Sequence, residues 1–147
     1  MEISDKINLL YEKDSTITYA NLLELEEMSE HENTLYPYLN EFIMMLKSEK
    51  YSIRVRGFRL LCKQAKWDND DKISEAITEI LFAVNDEKPT AVRQVLKYLT
   101  YITLNKKELI SIIREAVLSI DCSRFKDSMR PLIEKDIQTL IKVMDTQ

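Results

Sequence analysis

The chain has 147 residues, which is enough for one domain with a core of its own. It contains one glycine and three prolines, so few positions suit the tight hairpins of a β-rich fold, and the composition predicts an all-α protein. The formal net charge of −4 is opposite to the basic excess of a general nucleic-acid binder, although it leaves room for a local basic patch.

The predicted elements are helices that alternate as pairs. Apolar residues at 3–11 indicate a short leading helix. Helical periodicity predicts first helices at 17–29, 52–66 and 90–103, and second helices at 35–47, 70–84 and 106–120. The pairs therefore cover about 15–48, 52–84 and 90–121, followed by one long closing helix at 124–145 around Pro131. These elements form a single domain, since no linker interrupts them.

A dipeptide of a hydrophobic residue and arginine recurs at a fixed interval. It occurs at Val55-Arg56, Val92-Arg93 and Met129-Arg130, each 37 positions after the last. At the same offset, four columns align with the i, i+3, i+7 and i+8 spacing of a buried helical stripe. The columns are Tyr36/Ile73/Ile110, Leu39/Ala76/Ile113, Ile43/Ile80/Val117 and Met44/Leu81/Leu118. Such a period in a helix-favouring chain indicates stacked helical repeats.

The segment from Val84 to Arg93 resembles the HEAT repeat, whose signature has an aspartate in the inter-repeat turn, a nearby proline and Val-Arg in the next first helix. Asp86, Pro89 and Val92-Arg93 match it, and the preceding unit has Glu49 seven residues before Arg56. The last unit keeps Arg130 but has Ser123 at the acidic position. The resemblance implies an α-α superhelix of three to four helical hairpins. It also implies structural, unit-joining roles for Glu49, Arg56, Asp86, Pro89, Arg93 and Arg130.

In HEAT proteins the second helices usually line the concave side. Projection of residues 70–84 onto a helix directs Glu75, Thr78 and Phe82 away from the inward side chains Ile73, Ala76, Ile77 and Ile80. The repeat interval transfers the outward set to Tyr38, Glu41 and Met45, and to Ile112, Glu115 and Ser119. Exposed apolar groups among carboxylates are typical of a protein interface, although burial under terminal helices would explain them equally well.

We therefore expect a non-enzymatic scaffold or adaptor that binds a protein or peptide, and the glutamates favour a basic partner. The expected partner-binding residues are Tyr38, Glu41, Met45, Glu75, Thr78, Phe82, Ile112 and Glu115. One alternative is nucleic-acid binding through a basic stripe formed by Arg54, Arg56, Arg59, Lys63 and Lys66. Another is self-association through the apolar ends of a short array.

No motif for catalysis, metal or cofactor binding is found, and we expect none of these activities. His31 lies in a polar turn without a partner for general-base work, and a surface role is favoured. The loop Asp68-Asn69-Asp70-Asp71 lacks the glycine and distal glutamate of a calcium-binding hand. HEAT-like DNA glycosylases make such an activity a minor alternative for a chain with a basic stripe.

The family also includes small bacterial proteins that are labelled as related to iron–sulfur assembly. Cys62 and Cys122 are far apart and have no cysteine or histidine neighbours, so two reduced thiols are favoured over a disulfide or a cluster site. The N-terminal residues do not resemble a signal peptide, and no apolar run approaches the ~18–20 residues that cross a bilayer. We expect a cytoplasmic protein.

Overall fold

The computed structural model describes all 147 residues, and every regular element in it is helical. The α-helices are α1 (Ile3–Asn8), α2 (Thr16–His31), α3 (Leu39–Met45), α4 (Tyr51–Lys63), α5 (Lys72–Glu75), α6 (Ile77–Leu81), α7 (Pro89–Asn105), α8 (Ile110–Leu118) and α9 (Arg130–Asp145). Short 3₁₀ segments join them at Leu9–Tyr11, Tyr36–Tyr38, Ala65–Trp67, Phe82–Asn85, Lys107–Leu109 and Cys122–Arg124. The predicted all-α fold is confirmed. None of the helices combines the length and hydrophobicity that spanning a membrane requires.

The first helices pack side by side in the order α2, α4, α7, α9. In that order α9 takes the place of a fourth first helix, in agreement with the position of Arg130 one repeat after Arg93. Helix α3 packs on α4, and α8 packs on α7 and α9, whereas the second helices α3, α6 and α8 make few contacts with one another. One continuous cluster of 35 buried apolar residues fills the space between and beneath these helices.

Local sequence explains where several helices begin. Ser15 and Thr18 form a capping box at α2, in which the Ser15 Oγ accepts from the Thr18 N–H at 3.2 Å and the Thr18 Oγ1 accepts from the Ser15 N–H at 2.9 Å. Proline occupies the first turn of α7 and of α9, where its missing N–H costs nothing. The closing helix was expected from residue 124. It begins instead at Arg130, because residues 122–124 form a separate 3₁₀ turn.

The second helix of the middle unit is interrupted. Residues 70–84 were expected as one helix, but Ala76, with φ −101° and ψ 7°, separates α5 from α6. This break changes which side chains face outward near the end of α6. Leu81 is buried and Phe82 is 70% exposed.

The aligned column Met44/Leu81/Leu118 was predicted to be buried, and this prediction is wrong for two of its three residues. Met44 is 70% exposed and Leu118 is 61% exposed, although the repeat placed both in the buried stripe. The reverse error affects Met45, an expected partner-binding residue that is only 2% exposed. Its Cβ faces Gly57 of α4 so closely that a Cβ on Gly57 would lie 2.6 Å away. Met45 therefore belongs to the contact between α3 and α4.

One tryptophan links the end of α4 to α2. The indole N–H of Trp67 donates a hydrogen bond to the backbone carbonyl of Ser29 at 2.7 Å. The Ser29 hydroxyl, also buried, accepts from the Gln64 amide at 3.0 Å. These bonds hold the two first helices together near the turn that leads to the middle second helix.

Candidate functional site

The basic stripe on α4 is paired with carboxylates of α2. The Arg59 guanidinium donates to both carboxylate oxygens of Glu26, at 2.9 and 2.7 Å, and Lys63 donates to Glu30. Lys66 donates to the Glu30 backbone carbonyl at 2.6 Å. The charges that were expected to form a free surface stripe are therefore largely neutralised within the protein.

Two tyrosines of α7 complete this cluster on its other side. The Arg59 guanidinium lies 4.8 Å from the centre of the Tyr98 ring, and the Lys63 ammonium lies 4.0 Å from that of Tyr101. Burial alone would lower the pKa of Arg59, but the Glu26 carboxylate reverses that effect and raises it. We call these six residues, Glu26, Glu30, Arg59, Lys63, Tyr98 and Tyr101, the ionic seam.

The repeat arginines also bind within the chain. Arg56 is 4% exposed and donates to the carbonyls of Leu10 and Glu12, at 2.9 and 2.7 Å, and to the Asp14 carboxylate at 3.0 Å. It thus fixes the leading segment, not Glu49. The Glu49 carbonyl and the Asp86 carboxylate are bound by Arg54, which the repeat pattern did not single out.

The other repeat arginines have partners in the last unit. Arg93 donates to both carboxylate oxygens of Asp136 in α9, at 2.7 and 3.3 Å. Arg130 donates to the carbonyls of Cys122 and Phe125, at 3.2 and 3.0 Å. Arg93 therefore joins α7 to α9, but its acidic partner is not the aspartate of its own turn.

The starts of the second helices are tied together by a buried aspartate. The Asp68 carboxylate accepts from the Tyr36 hydroxyl and from the backbone N–H groups of Lys72 and Ile73, each of the latter at 3.0 Å. The Lys106 ammonium lies 3.3 Å from the same carboxylate and donates to Asp71 at 2.8 Å. Burial would raise the pKa of Asp68, but these donors together lower it.

This arrangement accounts for the acidic loop of residues 68–71. Asp68 caps α5, and Asp71, in a left-handed conformation with φ 56°, binds Lys106. The protein has no group of three or more His, Cys, Asp or Glu side chains placed to hold a metal ion. Through the contacts with Lys72, Ile73 and Lys106, Asp68 and Asp71 stabilise the start of α5.

The ends of the second helices are also joined. Lys47, at the end of α3, lies 3.0 Å from the Glu79 carboxylate of α6. Arg124, after α8, donates to the Asp86 carbonyl after α6 at 3.0 Å. Because the starts meet at Asp68 and the ends meet here, α3, α6 and α8 run side by side in the same direction.

The outer surface of these helices carries seven of the eight expected partner-binding residues. Glu75, Thr78, Phe82, Ile112 and Glu115 are exposed, and Tyr38 and Glu41 are half-buried. Met45 is excluded by its burial. The exposed Met44 and Leu118 were missed, although each lies one position from the column that contains Met45 and Ser119.

An apolar cleft of about 280 Å³ opens between the ends of α3 and α6. Its floor is formed by side chains of α4 and α7, namely Val55, Phe58, Ala91 and Val95. Phe82 and Ala83 form one wall, and the Lys47–Glu79 and Arg54–Asp86 pairs stand at its rim. Small-molecule sites are usually about 300–1,000 Å³, so the cleft fits one large side chain better than a cofactor.

His31 lies at the end of α2, where its Nε2 is 2.9 Å from the Glu27 carboxylate. Both side chains are more than 70% exposed, and neither lines the cleft beside Phe82. His31 is thus at the surface, as expected, but it is the last residue of α2 and not part of the turn.

The chain matches no protein-family model, no curated protein and no solved structure. Its function is therefore inferred from the geometry and chemistry of its own surface.

Proposed function

We propose that this protein is a HEAT-like array of helical pairs that acts as a non-enzymatic adaptor and binds a protein segment. The binding surface consists of Tyr38, Glu41, Glu75, Thr78, Phe82, Ile112 and Glu115 on the second helices, together with the cleft beside Phe82. The observation that carries the proposal is the Phe82 ring, which is 70% exposed at the mouth of an apolar cleft, beside the Lys47–Glu79 and Arg54–Asp86 ion pairs.

Exposure of this ring is unfavourable unless a partner covers it. Removing a phenylalanine side chain from water contributes about 1.5–3 kcal/mol, and Met44 and Leu118 expose further apolar area on the same helices. Binding hot spots combine a central apolar or aromatic anchor with a polar rim. Phe82, the adjacent cleft and the flanking ion pairs have this composition.

The order of the first helices supports the repeat architecture. Helices α2, α4, α7 and α9 follow one another as neighbours, and each of the three complete pairs adds one second helix to the same layer. The first helices pack closely, whereas the second helices are splayed with a cleft between them. The binding proposal therefore depends on the exposure of the second-helix surface and not on its being concave.

The chemistry of the polar groups favours an adaptor in the cytoplasm. The acidic and basic side chains with the strongest contacts serve the ionic seam, the cap at Asp68 and the arginine contacts, where each has a structural partner. Both cysteines are free thiols, which suits a reducing compartment. Nucleic-acid binding through the basic stripe is the weaker proposal, because Arg59 and Lys63 already bind Glu26 and Glu30.

The adaptor proposal predicts site-specific capture of a protein. A photo-reactive benzoylphenylalanine in place of Thr78, on the binding surface, should cross-link a discrete protein in native lysate. The same group in place of Gln138, exposed on α9, should not. Adding Phe82→Ser should reduce capture at least about tenfold, the ratio that corresponds to 1.4 kcal/mol.

Because Phe82 is largely exposed, its substitution leaves the core intact, and circular dichroism should show an unchanged helix content. Equal capture from the positions of Thr78 and Gln138, or capture unaffected by Phe82→Ser, would contradict the proposal. Tight binding of duplex DNA that falls steeply with salt and is lost in an Arg59→Glu, Lys63→Glu variant would favour the nucleic-acid alternative.

A further inference from the structure

The second-helix surface carries one two-residue pattern three times. In each second helix a glutamate precedes an exposed apolar residue by three positions: Glu41 and Met44, Glu79 and Phe82, Glu115 and Leu118. The three apolar side chains are among the most exposed in the protein, at 70%, 70% and 61%. Residues three apart lie on the same face of a helix, about one turn from each other.

These pairs are laterally aligned. The Tyr36–Asp68–Lys106 contacts join the starts of the three helices, and the Lys47–Glu79 and Arg124–Asp86 contacts join their ends. By the repeat interval of 37, Glu41 and Glu115 are equivalent positions, as are Met44 and Leu118, and Glu79 and Phe82 lie one position later in the middle unit. In helices that lie side by side, this equivalence puts the glutamates in one row across α3, α6 and α8 and the apolar residues in a second row beside it. The rows are separated by three helical residues, or about 4.5 Å along the helix axes.

The carboxylate row keeps uncompensated charge. The half-buried Glu41 and the exposed Glu115 take part in no intramolecular ion pair, and Glu75 adds a second exposed carboxylate nearby. Of the cations on the same helices, Arg114 is neutralised by Asp145 of α9 at 2.8 Å, and Lys72 lies over the Tyr36 ring at the start of α5, away from the ends that carry the apolar residues. Lys47 binds Glu79 through a pair that is exposed to solvent, and such pairs exchange readily for another cation.

We propose that the segment bound by this surface is a basic amphipathic helix that lies across α3, α6 and α8. This inference rests on the adaptor function proposed above and names the chemistry of its partner. A helix presents an apolar stripe and an adjacent basic stripe to the same surface, which matches two parallel rows. A strand does not, because its neighbouring side chains point to opposite faces.

The spacing of the rungs gives the partner a periodicity. Packed helices are about 8–10 Å apart or slightly more when splayed, and seven residues of a helix advance about 10.5 Å. A partner helix should therefore place one large apolar residue against each glutamate–apolar pair, or rung, at intervals of about seven residues. Its lysine or arginine residues should form a second stripe, beside the apolar one, that faces the row of glutamates. The central apolar residue would enter the cleft beside Phe82, where the floor of Val55, Phe58 and Val95 is already apolar.

The test uses defined peptides. A helical peptide of roughly 21 residues, long enough for three rungs at 1.5 Å per residue, carries a leucine stripe and a lysine stripe. A second peptide has glutamate in place of every lysine, and a third has the first composition in scrambled order. Fluorescence anisotropy measures the Kd of each for the full chain at low and moderate salt.

We expect the lysine peptide to bind at least ten times more tightly than either control peptide. Phe82→Ser and Leu118→Ser should each raise the Kd about tenfold, whereas Leu132→Ser, at an exposed apolar residue of α9, should leave it unchanged. Glu115→Gln should raise the Kd about threefold and weaken its salt dependence, whereas Glu134→Gln on α9 should do neither.

Three results would overturn the inference: no binding of the lysine peptide, equal binding of the glutamate peptide, or equal effects of the row variants and their α9 controls. Self-association of the protein that disappears in Phe82→Ser, measured by sedimentation, would identify the rows as an interface between two copies and would also overturn it. If the Thr78 position captures a protein while the lysine peptide fails to bind, the adaptor function stands and the partner class is wrong. If neither occurs, both proposals fail.

Discussion

At the scale of single residues, the only glycine of the chain has a steric role. Gly57 lies in the middle of α4, where a glycine normally weakens a helix. Here a Cβ would lie 2.6 Å from the Met45 Cβ and 2.9 Å from the Phe42 carbonyl oxygen, both in α3. The absence of a side chain lets α3 and α4 approach each other, and this contact sets which face of α3 is left exposed.

Gly57→Ala should therefore destabilise the protein by about 1–3 kcal/mol, as overpacking of a core does. The same substitution at a solvent-facing glycine of a helix would instead stabilise the protein, because alanine favours the helix by about 1 kcal/mol. Urea unfolding measures the change. Ser111→Ala, at an exposed position of α8, is the control and should stay within about 0.5 kcal/mol.

The periodicity of the sequence predicted most of the candidate surface, but it failed for the exposed apolar residue near the end of each second helix. Seven of the eight expected residues lie on the outer surface, whereas Met45, which the interval of 37 transferred from Phe82, is buried. The interval cannot describe the break at Ala76, which shifts the outward position in the middle unit to Phe82. The equivalent outward residues elsewhere are therefore Met44 and Leu118, one position earlier.

At the scale of elements, the ionic seam connects three first helices because its charged residues have the same spacing in α2 as in α4. Glu26 and Glu30 are four residues apart in α2, as are Arg59 and Lys63 in α4, so two ion pairs form in register. Tyr98 and Tyr101 of α7 cover them. Because Glu26 and Arg59 are both nearly inaccessible to solvent, neither charge can be removed without leaving the other unpaired.

Glu26→Gln should thus lower the free energy of unfolding by roughly 3 kcal/mol, since it leaves the Arg59 charge buried without a counter-ion. Glu27→Gln offers a matched control in the same helix. It breaks only the exposed contact with His31 and should cost less than about 0.5 kcal/mol. Similar losses for both variants, measured by urea unfolding at neutral pH, would show that the seam has no special energetic role.

The Asp68 cap should make the free energy of unfolding decrease at acidic pH. The pKa of Asp68 in the folded protein is below its ordinary value of 3.8, so its stabilising effect is complete above 3.8 and is lost progressively as the pH falls from there through the lower pKa of the folded state. Asp68→Asn should cost roughly 2 kcal/mol at pH 7 and less at pH 3. The comparison uses urea unfolding at both pH values, with the solvent-exposed Asp127→Asn as a control that shows no such trend. A cost that does not change with pH would contradict the assignment.

The helices themselves were predictable, but these connections were not. Apolar spacing alone predicted the pairs, since burial of a stripe is a local property of each helix. The partners of Arg59, Lys106 and Arg93 lie 33, 38 and 43 residues away, a separation at which sequence spacing no longer specifies geometry. The basic stripe was therefore interpreted as a free surface, although it is the core of an interhelical contact.

At the scale of the whole molecule, α4 and α7 occupy the centre. Each is flanked by a first helix on both sides and is covered by a second helix or 3₁₀ segment. Helix α1 is six residues long and lies at the edge, where its hold on the rest of the protein depends on the contacts of the leading segment with Arg56 and Asn21. Stability should therefore decrease from the centre of the stack towards its N-terminal edge.

Hydrogen exchange followed by mass spectrometry should show this gradient. We expect the amides of α4 and α7 to exchange last, those of α2 and α9 at intermediate rates, and those of α1 and α5 first. Arg56→Lys should accelerate exchange in α1 without affecting α9, because the lysine cannot replace the forked contacts to Leu10, Glu12 and Asp14. Exchange of α7 as fast as that of α1 would show that the helices do not form a centred stack.

The single tryptophan gives the molecule a built-in optical reporter. The Trp67 indole is bonded to the carbonyl of Ser29, so its emission responds to whether α2 remains docked on the end of α4. Detachment of that helix would hydrate the ring and shift its fluorescence to longer wavelength. The second-helix surface lies on the other layer, and a ligand bound there should leave the spectrum unchanged unless it also loosens the docked helix.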